Sequence, residues 1–379
     1  MSFTMLKQLL KDRDLLPILQ HNDNTPVTPE TWEKRREELL NALATHSYGF
    51  TDNRPVSVRG EVVQSKGDYA GKVSHEKINL TVSNDELGDF TFPIWIFRPK
   101  NVENPPVLLH IAFFRGAIAT EAPIYRVPVE EITDRGYALV SVRYTDMLGE
   151  TYHGKFIDGF ATYFGVTKEN RKPDTWGRIG MWAYGASRIM DYLETRDDLD
   201  YKHTTVIGHS RLGKTALWAG AQDKRFWCTI SNCSGYGGAA TSKGGTPESE
   251  KARDFADDRN AVWDWFCNNF MNYVDKENEK PYDQSWLLAC VAPRLLYVGS
   301  AAGDFWADPT SEFVSTLWAS RAWEMLGETG LVSQNKLPEP GDVWADGNVG
   351  YHLRRGTHFL SREDWNYYLN FLDRHLGKA

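Results

Sequence analysis

At 379 residues, with 41% hydrophobic and 25% charged residues, the chain is long enough for a large core and ordinary in composition for a globular protein. Its net charge of −8 argues against a nucleic-acid or anionic-membrane surface, while leaving room for one local basic pocket. No stretch approaches the roughly 18 apolar residues of a membrane span, and Lys and Asp interrupt every apolar run near Met1, so a cytoplasmic protein is expected.

In chain order, residues 1–55 read as a peripheral helical extension, with Thr28-Pro29-Glu30-Thr31 opening a helix in the manner of a capping box. Residues 57–66, 76–83 and 90–98 read as antiparallel strands at one side of a sheet. From Pro106 the pattern changes to continuous apolar runs, PVLLHIAF and then YALVSVRY from Tyr137, as expected of strands buried on both faces. A short helical piece lies near Val129 to Asp134, an irregular Gly- and Tyr-rich stretch runs from Tyr144 to Trp176, and a helix GMWAYGASRIMDYLE comes next. FWCTISN from Phe226 and RLLYVGSA from Arg294 are further buried strands, separated by an inserted excursion over 239–285. A helix is expected from Ser311 to Leu326, a last strand at Gly350-Tyr351-His352-Leu353, and a final helix over 362–376. Strand and helix alternate from 106 onward, which predicts one α/β domain over 1–379, a mostly parallel central sheet with helices on both faces.

The chemistry centres on TTVIGHSRLGKTALWAGA, Thr204 to Ala221, read as a strand, a tight turn over Gly208 to Gly213, and a helix from Thr215. Two motifs overlap there. Ser210 between Gly208 and Gly213 resembles a nucleophile elbow with its second Gly one place late. Gly208, Gly213, Lys214 and Thr215 also fit G-x-x-x-x-G-K-S/T, a phosphate loop. The strands downstream of the turn separate the two. A phosphate loop needs a later strand ending in a Mg²⁺-binding carboxylate, and FWCTISN ends in Asn232-Cys233-Ser234. A hydrolase needs an acid after a later strand and a His after the last one, in the order Ser, acid, His. Asp304 comes after RLLYVGSA and His358 after the last strand, with Asp308 as the alternative acid and His352 as the alternative base. The exit of the PVLLHIAF strand, FFRGA, is where such a fold places its second oxyanion donor. The four cysteines, Cys228, Cys233, Cys267 and Cys290, are scattered and read as buried thiols, and no metal site or cofactor is expected.

With these residues in view, GHSRLGKTALWAGAQDKRF, the Ser-Gly-Tyr-Gly-Gly segment, WFCNNFMNY, DFWADPTSEF and GYHLRRGTHFLSREDW together resemble the glucuronoyl esterases, carbohydrate esterase family fifteen. The resemblance covers roughly residues 200–370. It implies an α/β-hydrolase fold and a metal-free triad that cleaves (4-O-methyl-)glucuronoyl esters, with a small carbohydrate ester or oligosaccharide as substrate. It makes Ser210 the nucleophile, His358 the base, Arg211 an oxyanion partner, Lys214 a donor to sugar hydroxyls and Trp306 a plate against the sugar. The chain departs from the family in three places. Cys233 stands where some members carry the triad Glu. His209 and Phe359 stand where fungal members pair two cysteines. The family's sugar-binding Glu has no clear match near Asn260 and Asp264. Acetyl ester hydrolysis on xylan-like sugars is the alternative within the class; an NTPase or a sugar-binding module on an inactive scaffold are the alternatives outside it.

Overall fold

The computed structural model describes residues 3–113, 127–149, 158–256 and 264–378. Ten strands form one sheet: β1 Ser57–Asp68, β2 Val73–Asn84, β3 Gly88–Pro99, β4 Pro106–Ala112, β5 Ala138–Arg143, β6 Asp200–His209, β7 Cys228–Asn232, β8 Leu295–Ala301, β9 Val343–Trp344 and β10 Val349–Arg354. Their order is β1-β2-β3-β5-β4-β6-β7-β8-β10-β9. The first three strands and the β3–β5 pair are antiparallel, the run from β5 to β10 is parallel, and β9 returns antiparallel to β10. The parallel strands β4, β7 and β8 are buried at every position, because helices cover both faces.

This order fixes where chemistry can happen. β4 lies between β5 and β6, so the chain passes from one side of β4 to the other after β5. In an open α/β sheet such a switch point leaves a crevice beyond the carboxyl ends of the strands. The ends of β4 and β6 are Ala112 and His209, and the next residue after His209 is Ser210.

Three expectations are corrected. The turn after β6 is much tighter than Gly208 to Gly213, since the helix starts at Arg211 and runs to Gln222. The expected single helix from Ser311 is two, Pro309–Ala319 and Arg321–Met325, with Ser320 at the break, where its Oγ accepts from the Leu331 amide at 2.6 Å. Residues 32–48 are not peripheral. Trp32, Leu39, Leu43 and Tyr48 are buried in the main core. Arg36, in a helix whose sequence WEKRREELL looks solvated, instead donates to the Cys290 carbonyl at 2.9 Å and to that of Ala221. Tyr48 donates to the Gly237 carbonyl at 2.8 Å, tying this N-terminal layer to the loop after β7.

Candidate active site

Ser210 occupies φ 57°, ψ −127°, a conformation that costs a non-glycine residue about 1–3 kcal/mol. The surroundings over-determine it. The Ser210 amide donates to the Asn232 carbonyl at 2.9 Å, while its own carbonyl accepts from the amides of Gly213 and Lys214 at 2.8 and 3.1 Å. Gly208 is required here, since a Cβ would lie 2.0 Å from the Leu212 carbonyl oxygen. The strained turn lifts the hydroxyl off the end of β6, where His358 Nε2 lies 2.9 Å from Ser210 Oγ.

His358 and Asp304, expected from the sequence as base and acid, come from the loops after β10 and β8, and the backbone joins those loops. Ala302 donates to the Arg354 carbonyl at 2.9 Å and Gly303 to that of Gly356 at 2.8 Å. His358 Nδ1 then lies 2.6 Å from Asp304 Oδ2, with Asp304 only 4% exposed. A carboxylate on Nδ1 makes that nitrogen the donor and leaves Nε2 as acceptor for the serine proton. Asp308 does other work. It caps the helix Pro309–Ala319, accepting from Ser311 N at 2.9 Å and Ser311 Oγ at 2.6 Å. His352 is fully buried against Asp364 at 2.8 Å.

His209 packs its ring 4.6 Å from that of His358 and donates from Nδ1 to Asn232 Oδ1 at 2.7 Å. Burial, helped by the neighbouring His358, pushes its pKa down to about 3, so it stays neutral beside His358. Arg211 opens the helix after Ser210, with its guanidinium carbon 4.5 Å from the Trp265 ring centroid and 5.7 Å from that of Phe113. Such stacking holds a planar cation in one place. Cys233 is buried with its thiol pushed well above the ordinary range by burial and the nearby carboxylates, and Asp264 is taken up in a buried ion pair with Arg178 at 2.7 Å. The four cysteines are all buried free thiols. Asn260 and the FFRGA segment beyond Phe113 lie outside the described residues.

Lys214 differs from the expectation. It is 2% exposed, and its Nζ donates to the carbonyls of Ser234 and Tyr236 at 2.8 and 2.6 Å and to Glu250 Oε2 at 2.7 Å. An ammonium has three protons to give, so all are used within the protein. This also removes the phosphate-loop reading, because the lysine is turned inward and the turn is an elbow rather than a cradle. Burial pushes the Lys214 pKa down and the Glu250 pKa up, each against the pull of the other.

A second buried carboxylate carries no signal in the sequence. Glu312 accepts from the amides of Ser234 and Gly235 at 2.7 and 3.0 Å and from Ser300 Oγ at 2.6 Å, bracing the turn after β7 against the end of β8. Burial pushes its pKa up to about 7. Above the ordinary value near 4.5 the unfolded chain has released this proton and the folded one has kept it, so stability falls as pH rises and levels off above about 7. Gln in this place keeps the acceptor and donates to Ser300. Glu312→Gln should therefore raise stability at pH 8 by up to about 3 kcal/mol, with the gain shrinking towards pH 4.5. Urea unfolding of both proteins across this range is the measurement, and a gain independent of pH would contradict the account.

A family model for fungal glucuronyl esterases matches residues 125–327. A carbohydrate esterase from an unknown prokaryotic organism is 40% identical over 253 residues, 66% of this chain and 56% of that protein. The 4-O-methyl-glucuronoyl methylesterase 1 of Phanerochaete chrysosporium is 36% identical over 317 residues, 81% of this chain and 61% of the relative. The chain thus spans less than two thirds of the length of these two curated relatives. Solved structures match over nearly their whole length. A glucuronoyl esterase from Solibacter usitatus gives a TM-score of 0.84 at 32% identity, covering 95% of this chain and 97% of that one. A promiscuous esterase of carbohydrate esterase family fifteen, from a marine bacterial metagenome, gives 0.83 at 31% identity, covering 95% and 96%.

Proposed function

The chain belongs to the glucuronoyl esterase family, and on that premise we propose that it is a serine carboxylic ester hydrolase acting on (4-O-methyl-)glucuronoyl esters of carbohydrates. The same membership corrects the expectation of a cytoplasmic protein. Glucuronoyl esterases are generally extracellular, secreted enzymes acting on plant cell-wall polysaccharides.

The observation that carries the activity is the hydrogen-bonded chain from Asp304 Oδ2 through His358 to Ser210 Oγ, at 2.6 and 2.9 Å. Ser210 Oγ attacks the ester carbonyl carbon while His358 Nε2 takes its proton, and Asp304 stabilises the imidazolium. The carbonyl oxygen becomes an oxyanion facing the positive end of the helix that Arg211 opens, with the stacked guanidinium beside it. Collapse breaks the bond to the alcohol, which leaves with the proton from His358. Water, deprotonated by the same imidazole, then splits the acyl-enzyme into uronic acid and free Ser210. The fixed cation also suits an acyl group derived from a sugar acid.

The test is hydrolysis of benzyl glucuronate beside 4-nitrophenyl acetate by the wild-type protein. Glucuronate-ester cleavage with the higher kcat/KM is expected. Cleavage of the acetate alone would move the substrate to acetylated sugars and overturn the uronate assignment.

A further inference from the structure

The cleft beside Trp306, about 220 Å³, is lined by segments from two strand ends: Thr241, Ser242, Gly244 and Gly245 after β7, and Trp306 and Asp308 after β8. One buried side chain bonds both segments. Arg13, 6% exposed just after the helix Phe3–Asp12, donates from a single Nη1 to the Lys243 carbonyl at 2.5 Å and to Ser311 Oγ at 2.8 Å. Ser311 Oγ in turn donates to Asp308 Oδ2 at 2.6 Å, so the guanidinium reaches the second segment through one hydroxyl. The clasp is reciprocal, since Lys243 Nζ donates to the Asp14 carbonyl at 2.8 Å. Gly244, at φ 71°, lies against the arginine's stem, where a Cβ would sit 2.7 Å from Arg13 Cδ. The two partners of Arg13 stand 230 and 298 residues away in sequence, and Arg13 itself is outside the 200–370 stretch that carries the family resemblance.

Burying an arginine is a costly way to gain stability. Desolvation lowers the Arg13 pKa against the pull of Asp308 and Asp283, and an apolar side chain would fill the same space at less cost. What the guanidinium supplies is two directed donors at one point, which hold the turn at Lys243 and the cap at Asp308 at one separation. Resting on the esterase reading, with the sugar in this cleft, we propose that Arg13 is a positioning residue for substrate binding: it sets the width of the cleft in the free enzyme, so that the sugar meets walls already in place. Without it the loop after β7 is ordered only as substrate arrives, and that ordering is drawn from the affinity. The triad does not depend on this link. The loops of Asp304 and His358 are joined by the backbone bonds from Ala302 to Arg354 and from Gly303 to Gly356, and Ser210 is held by the Asn232 carbonyl. The N-terminal segment therefore acts on binding of the uronate and not on acyl transfer.

Arg13→Met keeps the stem against Gly244 and removes both donors. Its KM for benzyl glucuronate should rise about 10-fold, with kcat within about twofold of wild type. On 4-nitrophenyl acetate, whose acyl group is too small to fill the cleft, kcat/KM should stay within about twofold. Arg13→Lys, whose ammonium has protons for both acceptors, should recover most of the loss. Amide hydrogen exchange reads the same device without turnover: residues 241–250 should exchange about 10-fold faster in Arg13→Met than in the wild type. Ser311→Ala, which cuts only the link to Asp308, should raise KM in the same direction by a smaller factor, and it takes the place of Arg13→Met if that variant does not fold. Parallel losses on the two esters, a fall in kcat at unchanged KM, or unchanged exchange over 241–250 would overturn the proposal. Failure of the wild type to cleave the glucuronate ester would sink the esterase assignment separately, and the exchange measurement would still decide whether Arg13 holds the loop.

Discussion

Ser210→Ala should lower kcat/KM on benzyl glucuronate by about 10⁶-fold, the scale of removing a triad nucleophile, and Asp304→Asn by about 10⁴-fold. The second figure comes from the tautomer. His358 Nδ1 faces Asp304 Oδ2 at 2.6 Å, and an amide there no longer stabilises the imidazolium or enforces the proton on Nδ1. Asp308→Asn is the contrasting variant. Its carboxylate satisfies Ser311 N and Oγ rather than His358, and Asn caps helices nearly as well, so activity should stay within a few-fold of wild type. Steady-state kinetics on the three variants, with circular dichroism to confirm folding, make the comparison. Loss of activity in Asp308→Asn together with retention in Asp304→Asn would reverse the assignment of the acid.

That the fold brings Ser210, His358 and Asp304 within hydrogen-bonding distance shows what a sequence can carry. Ser210, Asp304 and His358 are each the product of a strand end, and strand ends in a parallel sheet are legible from apolar runs and the small or polar residues after them. Their chain order then names them without any distance. The failures share a different cause. Lys214 reads as an outward lysine because its acceptors, the carbonyls after β7 and Glu250, lie 20 to 36 residues further on and are brought in only by the fold. The peripheral reading of residues 1–55 misses Arg36 because the carbonyls it satisfies belong to segments 185 and 254 residues distant. The two residues of β9 are too few for periodicity to register. For Lys214 and Arg36 alike, the role is set by backbone groups that tertiary packing leaves without partners.

Arg354 is the strongest instance, and it carries the largest expected effect on stability. It sits at the end of the last strand beside another arginine, where a solvated pair would be unremarkable by sequence, yet it is 1% exposed. Its Nε donates to both oxygens of Asp364 at 2.9 and 2.7 Å, and its two Nη atoms donate to the carbonyls of Arg355 and Thr357, at 2.9 and 3.1 Å, and of Phe359. Those last two carbonyls flank His358. The guanidinium therefore spans the loop that presents the base and anchors it to Asp364, which in turn accepts from Ser361 N at 2.6 Å at the start of the final helix. Arg354→Met strips the carbonyls of their donor and leaves Asp364 with His352 and Ser361, at a cost of about 3–5 kcal/mol for breaking a buried pair. Arg354→Lys should recover little, because an ammonium cannot reproduce the planar fork that reaches three carbonyls and a carboxylate at once. If the loop's geometry is what Arg354 maintains, kcat falls in both variants while KM for the ester stays close to wild type, since His358 moves protons and does not hold the sugar. Urea midpoints and the kcat-against-KM split are measured together. A lowered midpoint with normal kcat would mean that the loop keeps His358 in place without its brace, and an unchanged midpoint would contradict the buried-pair account itself.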